Sequence, residues 1–219
     1  MFEEVLPNLY AFYSPNEGSN CYLLVGKKTL LIDTSLAKNT SNILDSLSSL
    51  GFTSGAIDGV LHTHGHADHF EADSAFKSTE IRMHSYDAQY VNMKDPIFTQ
   101  SIMLNSDKYP KIKTHYYENE IIDAYPFRLQ VIFTPGHTKG SVCFYDKKHK
   151  LLFSGDTIFN RGCGRFDLVS GNRQELLDSL KKLSLLDFDI LLPGHGNILK
   201  SKQQENTEYA RAIAQDSFI

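Results

Sequence analysis

Short apolar runs that stop abruptly at an acid or a histidine recur along this chain. Leu30-Leu31-Ile32 stops at Asp33, and Gly59-Val60-Leu61 runs into His62-Thr63-His64. Val131-Ile132-Phe133 leads through Thr134-Pro135-Gly136 to His137. Leu151-Leu152-Phe153 leads through Ser154-Gly155 to Asp156, and Ile190-Leu191-Leu192 through Pro193-Gly194 to His195. A run this short, apolar at every position, predicts a strand covered on both faces. Five strands that each deliver a polar group at one end predict a rigid sheet with a site along its rim.

Between the strands the period changes to that of a helix. Thr40 to Leu50 sets Ile43, Leu44, Leu47 and Leu50 on one face, and Gly51 follows as a stop. Asn172 and Glu175 have capping-box-like spacing ahead of Leu176, Leu177, Leu180 and Leu183. Lys202 to Phe218 is polar and predicts a closing helix. The segments Val25-Gly26-Lys27-Lys28 and Tyr145-Asp146-Lys147-Lys148 predict hairpin turns. The stretch from Asp95 to Glu120 has weak periodicity and reads as an irregular insertion. Mixed sheets covered by helices describe a layered α/β architecture, and 219 residues suit one domain spanning 1–219.

Composition narrows the partners more than the fold. A formal charge of −4 gives no electrostatic case for nucleic acid or an anionic membrane. No apolar run approaches the roughly 18 residues that a membrane span requires. Met1-Phe2-Glu3-Glu4 lacks a basic start and apolar stretch, so the expected compartment is the cytoplasm. Cys21, Cys143 and Cys163 are odd in number and share no C-x-x-C spacing, which suggests neither disulfides nor a thiolate zinc site. The expected partner is a small molecule, and the oligomeric state is not legible.

The chemistry concentrates in His62-Thr63-His64-Gly65-His66-Ala67-Asp68-His69. Neutral imidazoles and carboxylates suit zinc and similar divalent ions when several converge on one point. An H-x-H pair at a strand end lets both rings turn toward one ion, and Asp68 and His69, opening the next helix, can face a second. This differs from H-E-x-x-H, whose ligands share one helical face. Asp33 fits a supporting role better than direct ligation. His62 falls on the opposite strand face from the next position and is left out. His84, His115 and His149 lie outside the pattern and read as structural or solvent-facing.

Thr63-His64-Gly65-His66-Ala67-Asp68-His69 resembles the T-H-x-H-x-D-H signature of the metallo-β-lactamase superfamily. The resemblance continues, in the family's order, through Leu31-Ile32-Asp33-Thr34, Thr134-Pro135-Gly136-His137-Thr138, Ser154-Gly155-Asp156-Thr157 and Pro193-Gly194-His195-Gly196. It implies a four-layer αββα sandwich of two mixed sheets flanked by helices, with the site at the edge between the sheets. It also implies metal 1 on His64, His66 and His137, metal 2 on Asp68, His69 and His195, and Asp156 bridging both. Asp68 is in addition the candidate catalytic carboxylate. Two divalent ions, zinc first and iron or manganese next, would share a hydroxide across about 3.5–4 Å and attack an acyl carbonyl.

Gly155-Asp156-Thr157-Ile158-Phe159 and Gly162-Cys163-Gly164-Arg165 resemble the glyoxalase II (hydroxyacylglutathione hydrolase) group. Phe166-Asp167-Leu168 and Glu175-Leu176-Leu177-Asp178-Ser179-Leu180 look more like its short, single-domain relatives. The resemblance implies thioester hydrolysis and makes Arg165 a substrate-binding candidate, since a basic residue near that position contacts glutathione in the group. Two tyrosines of the group are replaced here by Asp167 and Asn197, and the chain ends 24 residues after His195, short of a helical C-terminal region. These departures remove glutathione contacts while leaving thioester chemistry. No general acid is evident for a leaving amine, which also favours a thioester or lactone over an amide. Three alternatives remain open. One is a persulfide dioxygenase holding one iron on His64, His137 and Asp156, another a lactonase, and the third a binding protein with a decayed site.

Overall fold

The computed structural model describes residues 1–76, 79–200 and 203–216. Its first half forms β1 (Phe2–Leu6), β2 (Leu9–Phe12), β3 (Cys21–Leu24), β4 (Leu30–Ile32), α1 (Thr40–Ser49), β5 (Gly59–Leu61), the single turn α2 (Ala67–Phe70), β6 (Glu80–Arg82) and α3 (Ser85–Met93). An irregular segment follows. The second half forms β7 (Ile121–Ala124), β8 (Phe127–Phe133), β9 (Val142–Asp146), β10 (Leu151–Gly155), the small ribbon β11 (Ile158–Phe159) with β12 (Gly162–Cys163), α4 (Arg173–Leu183), β13 (Ile190–Pro193), β14 (Leu199–Lys200) and α5 (Gln203–Asp216).

The five strands that end at an acid or a histidine do not share one sheet, as the pattern of short apolar runs alone suggested. One six-stranded sheet runs β1-β2-β3-β4-β5-β6 and the other β14-β13-β10-β9-β8-β7. Both are mixed: β4, β5 and β6 pair in parallel, as do β10 and β13, and the remaining pairs are antiparallel. Alternation inside the apolar runs separates the layers. Leu30, Ile32 and Leu61 meet Val131, Phe144, Phe153 and Leu192 between the sheets. Leu31 and Val60 point the other way, onto Ile43 and Leu47 of α1. On the far side Ile132, Leu152 and Leu191 pack on Leu176, Leu180 and Leu183 of α4 and on Ala210 and Ala214 of α5. The result is the four-layer αββα sandwich. A Leu removed from water on either face of such a strand contributes about 1.5–3 kcal/mol, so both faces hold the layers together.

The helix ends follow their local chemistry. Gly51, at φ +83, terminates α1, and the Asn172 side chain accepts a hydrogen bond from the Glu175 amide at the start of α4. Both hairpins form: β3 pairs with β4, and β9 with β10, antiparallel. The closing helix covers Gln203–Asp216, while Lys202, Ser217 and Phe218 lie outside the described residues. The segment 95–120 contains no strand or helix, only an isolated bridge between Thr114 and Arg82. It is nevertheless packed, with Phe98, Thr99, Ser101 and Ile112 buried. Among the described residues no helix is long and apolar enough to cross a membrane.

Candidate metal centre

Parallel pairing sets the site, because neighbouring parallel strands release their ends at the same rim. In the first sheet Asp33 follows β4, and His62-Thr63-His64 follow β5 beside it. In the second, His137 follows β8, Asp156 follows β10 and His195 follows β13. Backbone bonds lock the two rims together: the Val142 amide donates to Thr63 O at 2.8 Å, and the Asn20 amide to Gly194 O at 2.7 Å. The Asn20 side-chain amide also donates to Pro193 O at 3.1 Å and Gly196 O at 2.9 Å, and the Tyr22 hydroxyl donates to Pro193 O at 2.6 Å.

The seven residues of the T-H-x-H-x-D-H pattern and its distant partners come together as three overlapping groups. These are His64, His66 and His137; His64, His69 and Asp156; and Asp68, His69 and His195, the donor atoms of each lying within 4.8 Å of one another. His66 Nδ1 lies 3.2 Å from His64 Nε2 and 2.9 Å from His137 Nε2. Asp156 stands between the groups, with Oδ1 3.3 Å from His69 Nε2 and Oδ2 3.6 Å from both His137 Nε2 and His195 Nε2. His195 Nε2 is 3.0 Å from Asp68 Oδ2. His84, His115 and His149 belong to none of these groups: they cap α3, lie 3.3 Å from Met83 O and pair with Asp146, respectively.

The far nitrogens of the rings are fixed by a surrounding layer of partners. His137 Nδ1 donates to Arg165 O at 2.7 Å, and His69 Nδ1 donates to Asp33 Oδ2 at 2.8 Å. Thr63 Oγ1 donates to Asp33 Oδ2 at 2.8 Å and is 3.1 Å from His64 Nδ1, whose N–H it can accept. Such contacts select the tautomer and aim the remaining lone pairs inward. Asp33 therefore supports the site rather than joining it. Its αL backbone, φ +54, is one that Asp tolerates better than most residues.

Electrostatics divide the site into two halves. Burial, reinforced by neighbouring imidazoles, lowers His64 well below its ordinary value and takes His66 to about 3. Burial lowers His137 as well. At His69 and His195 burial acts in the same sense but loses: Asp33, Asp68 and Asp156 raise His69, and Asp156 and Asp68 raise His195. Burial opposes charge on Asp156 too, yet His195 and His69 hold it well below the usual carboxylate range. Asp68 is lowered against burial by His69 and His195.

A cation fits this donor set. Partners on His64 Nδ1 and His137 Nδ1 turn two Nε2 lone pairs toward the one His66 Nδ1, which can donate to only one of them. His69 Nε2 and Asp156 Oδ1 are buried side by side without an aligned hydrogen bond among the described residues. Buried polar atoms left so are uncommon, and imidazole with carboxylate is the ligand chemistry of zinc, iron and manganese.

The centre opens into a cavity of about 320 Å3 whose other walls are Gln100, Phe159, Cys163, Gly164, Arg165 and Leu168. Larger hollows, of about 600 Å3 beside Glu71 and about 800 Å3 beside Tyr209, lack these histidines, so chemistry rather than volume marks the site. Arg165 lies at the cavity rim with its guanidinium on Asp167, while Asn197 is exposed.

Sequence reasoning missed two groups of supporting residues. His62 is fully buried, with Nε2 2.8 Å from Asp73 Oδ2 and Nδ1 3.4 Å from Asp33 Oδ1, the second distance carrying attraction without an aligned hydrogen bond. The other is Asp87, buried where α3 begins, and no ligand-like spacing signals it. A clue lay in His62 itself, an imidazole directly after a run apolar enough to be fully covered.

Residues 15–195 match the Metallo-beta-lactamase superfamily. A Methanocaldococcus jannaschii protein named "Probable metallo-hydrolase MJ0888" is 31% identical over 189 residues, which is 82% of this chain and 88% of that one. The Haemophilus influenzae "Hydroxyacylglutathione hydrolase GloC" is 29% identical over 159 residues, covering 68% of this chain and 73% of that one. Among solved structures, TTHA1623 in a di-iron-bound form superimposes with a TM-score of 0.72 at 26% identity, over 87% of this chain and 93% of that one.

Proposed function

This chain belongs to the metallo-β-lactamase superfamily, and from that premise we propose that it is a binuclear metallohydrolase that cleaves small acyl thioesters. His64, His66 and His137 would hold one ion, Asp68, His69 and His195 the other, and Asp156 both. Two divalent ions held there supply a water ionised near neutral pH and a polarised carbonyl.

The observation that carries the choice of substrate is what the cavity walls lack. Among the described lining residues outside the donor set, the ionisable groups are Cys163 and Arg165. Burial pushes the Cys163 thiol up to about 11, and a guanidinium keeps its proton at neutral pH. Neither hands a proton readily to a departing amine. A thiol, with a pKa near about 8.5, leaves as thiolate without that help. Asp68, held ionised and with its side chain 19% exposed, has no proton to give at the outset; it is placed to accept one as water is consumed, and a departing thiolate does not require its return. Phe159 and Leu168 offer an apolar wall for a short acyl chain, and Arg165 lies at the rim where the thiol carrier would emerge. The hydroxyacylglutathione hydrolase relative, and the di-iron form of the structural relative, support the same reading.

The test is a substrate panel on metal-loaded protein: several small thioesters, S-lactoylglutathione, lactones, a β-lactam, and glutathione persulfide with oxygen uptake. Turnover of several thioesters with a modest preference for S-lactoylglutathione is expected. Oxygen uptake without thioester cleavage would defeat the hydrolase reading, and lactone turnover alone would keep the metallohydrolase and discard the thioesterase.

A further inference from the structure

Asp87 is a fully buried carboxylate in the first turn of α3, an element that contributes no ligand to the centre. An acid there ordinarily serves its own helix by facing the unpaired amides of the first turn. This one turns inward and accepts three hydrogen bonds from two other segments. Its Oδ1 accepts from the Gly140 amide at 2.8 Å. Its Oδ2 accepts from the Gly65 amide at 2.8 Å and the Thr138 hydroxyl at 2.6 Å. Gly65 lies between His64 and His66, and Thr138 directly follows His137.

We infer that Asp87 is the positioning residue for the His64–His66–His137 half of the centre. One carboxylate ties the loop that carries two of these rings to the loop that carries the third. The fit is close: a Cβ on Gly65 would stand 2.9 Å from Asp87 Cβ, and one on Gly140 would collide with Asp87 Oδ1. Both glycines thus admit the carboxylate, and both amides face it. Among the described residues no hydrogen bond links Asp87 to Asp68, His69 or His195; His69 is held by Asp33, and the strand end before His195 by Asn20. Loss of Asp87 therefore weakens one half of the centre selectively. Supporting partners of metal ligands commonly change affinity about 10–100-fold, and the effect here falls in that range.

Because this inference rests on the two-ion reading, its test reads metal binding and needs no substrate. Zinc affinity is measured by chelator competition for the wild type, Asp87→Asn, and the same change placed in His195→Ala and in His66→Ala. Asn keeps the shape but turns one donor toward a donor. In His195→Ala, where binding depends on the histidine triad, Asp87→Asn should lower zinc affinity at least ten-fold. In His66→Ala, where the remaining ion sits on the Asp68–His69–His195 side, it should change affinity less than three-fold. Equal losses in both backgrounds would mean general structural support and overturn the inference, as would no loss in either. A wild type that binds fewer than two ions refutes the two-ion reading separately. If Asp87→Asn does not fold, Thr138→Val removes one of the three bonds and should show the same selectivity at smaller size, its absence again overturning the inference.

Discussion

The Arg165 guanidinium is held by both oxygens of Asp167, Nε donating at 2.9 Å and Nη2 at 2.7 Å. Among the described cavity residues outside the histidines and aspartates, the one basic group is thus already paired from two residues away. The pair is exposed, at 67% and 32% of side-chain area, so a competing carboxylate can displace it. Arg165→Ala should raise KM for a thioester with an anionic thiol carrier several-fold and leave kcat nearly unchanged, because the guanidinium binds the carrier alike in ground and transition states. Asp167→Asn should lower that KM a few-fold, and neither change should move KM for a neutral pantetheine-type thioester. Steady-state kinetics on the two carriers decide it, and equal effects on both would remove Arg165 from carrier binding.

Metal content should follow the two donor groups. Wild-type protein should carry close to two divalent ions per chain by elemental analysis. His66→Ala and His195→Ala should each retain about one, since each removes a ligand from one side only. His149→Ala, whose ring pairs with Asp146 on the β9–β10 turn, should keep both ions and full activity. One iron and no second ion on adding metal would favour a mononuclear oxygenase.

Proton release should distinguish the two ions. His64 and His66 are pushed below their ordinary values by burial and by other imidazoles, and burial lowers His137 too, so all three are neutral at pH 7 before any ion arrives. Carboxylates raise His69 and His195 against burial, so their protons must leave when the Asp68 side fills. Affinity of that side should rise with pH across the neutral range, and affinity of the triad should change little. Calorimetry in buffers of different ionisation enthalpy counts the protons, and equal release for both ions would refute the division.

His62 should make the metal-free protein less stable at alkaline pH. Burial disfavours its charge, but Asp73 and Asp33 raise it to about 9 from an ordinary 6.5. A raised pKa means that the folded state holds a proton the unfolded state releases. The resulting stability is fully present below pH 6.5 and is lost as pH rises through about 9. His69 acts with the same sign, so His62→Gln should reduce, not abolish, the fall, by roughly one proton in the slope. Urea unfolding midpoints from pH 6 to 10 measure it, and an unchanged slope would count against a charged His62.

How much of this could be read beforehand depended on where the signal lay. Four of the seven candidate donors follow an apolar run, so His64, His137, Asp156 and His195 stood out by contrast with their own strands, and His66, Asp68 and His69 by their spacing after His64. The division into two sheets came from the family resemblance and not from the run pattern, because Leu30-Leu31-Ile32 and Leu151-Leu152-Phe153 are covered on both faces wherever they pair. Asp33 was legible as a supporting residue from its place at the end of β4. Asp87 was not: in Ser85–Met93 the buried Ala88 and Val91 are too few to show a helical stripe, and burial of an acid follows only from packing. β6, Glu80-Ile81-Arg82, is short and polar, and parallel pairing with β5 makes it a strand. Segment 95–120 was correctly irregular, yet its contact with the centre, the Ala67 amide on Thr99 O at 2.8 Å, has no sequence signature.

The division of the ligands between two sheets also sets an order of assembly. A chain emerging from its N-terminus exposes His64 and His66 early, but the triad closes only when His137 has arrived and Val142 has bonded to Thr63. The Asp68 side must wait for His195, after β13 has paired with β10. Held as proposed, the second ion would need β13 in place, so a chain could carry both ions only after that strand had joined the sheet.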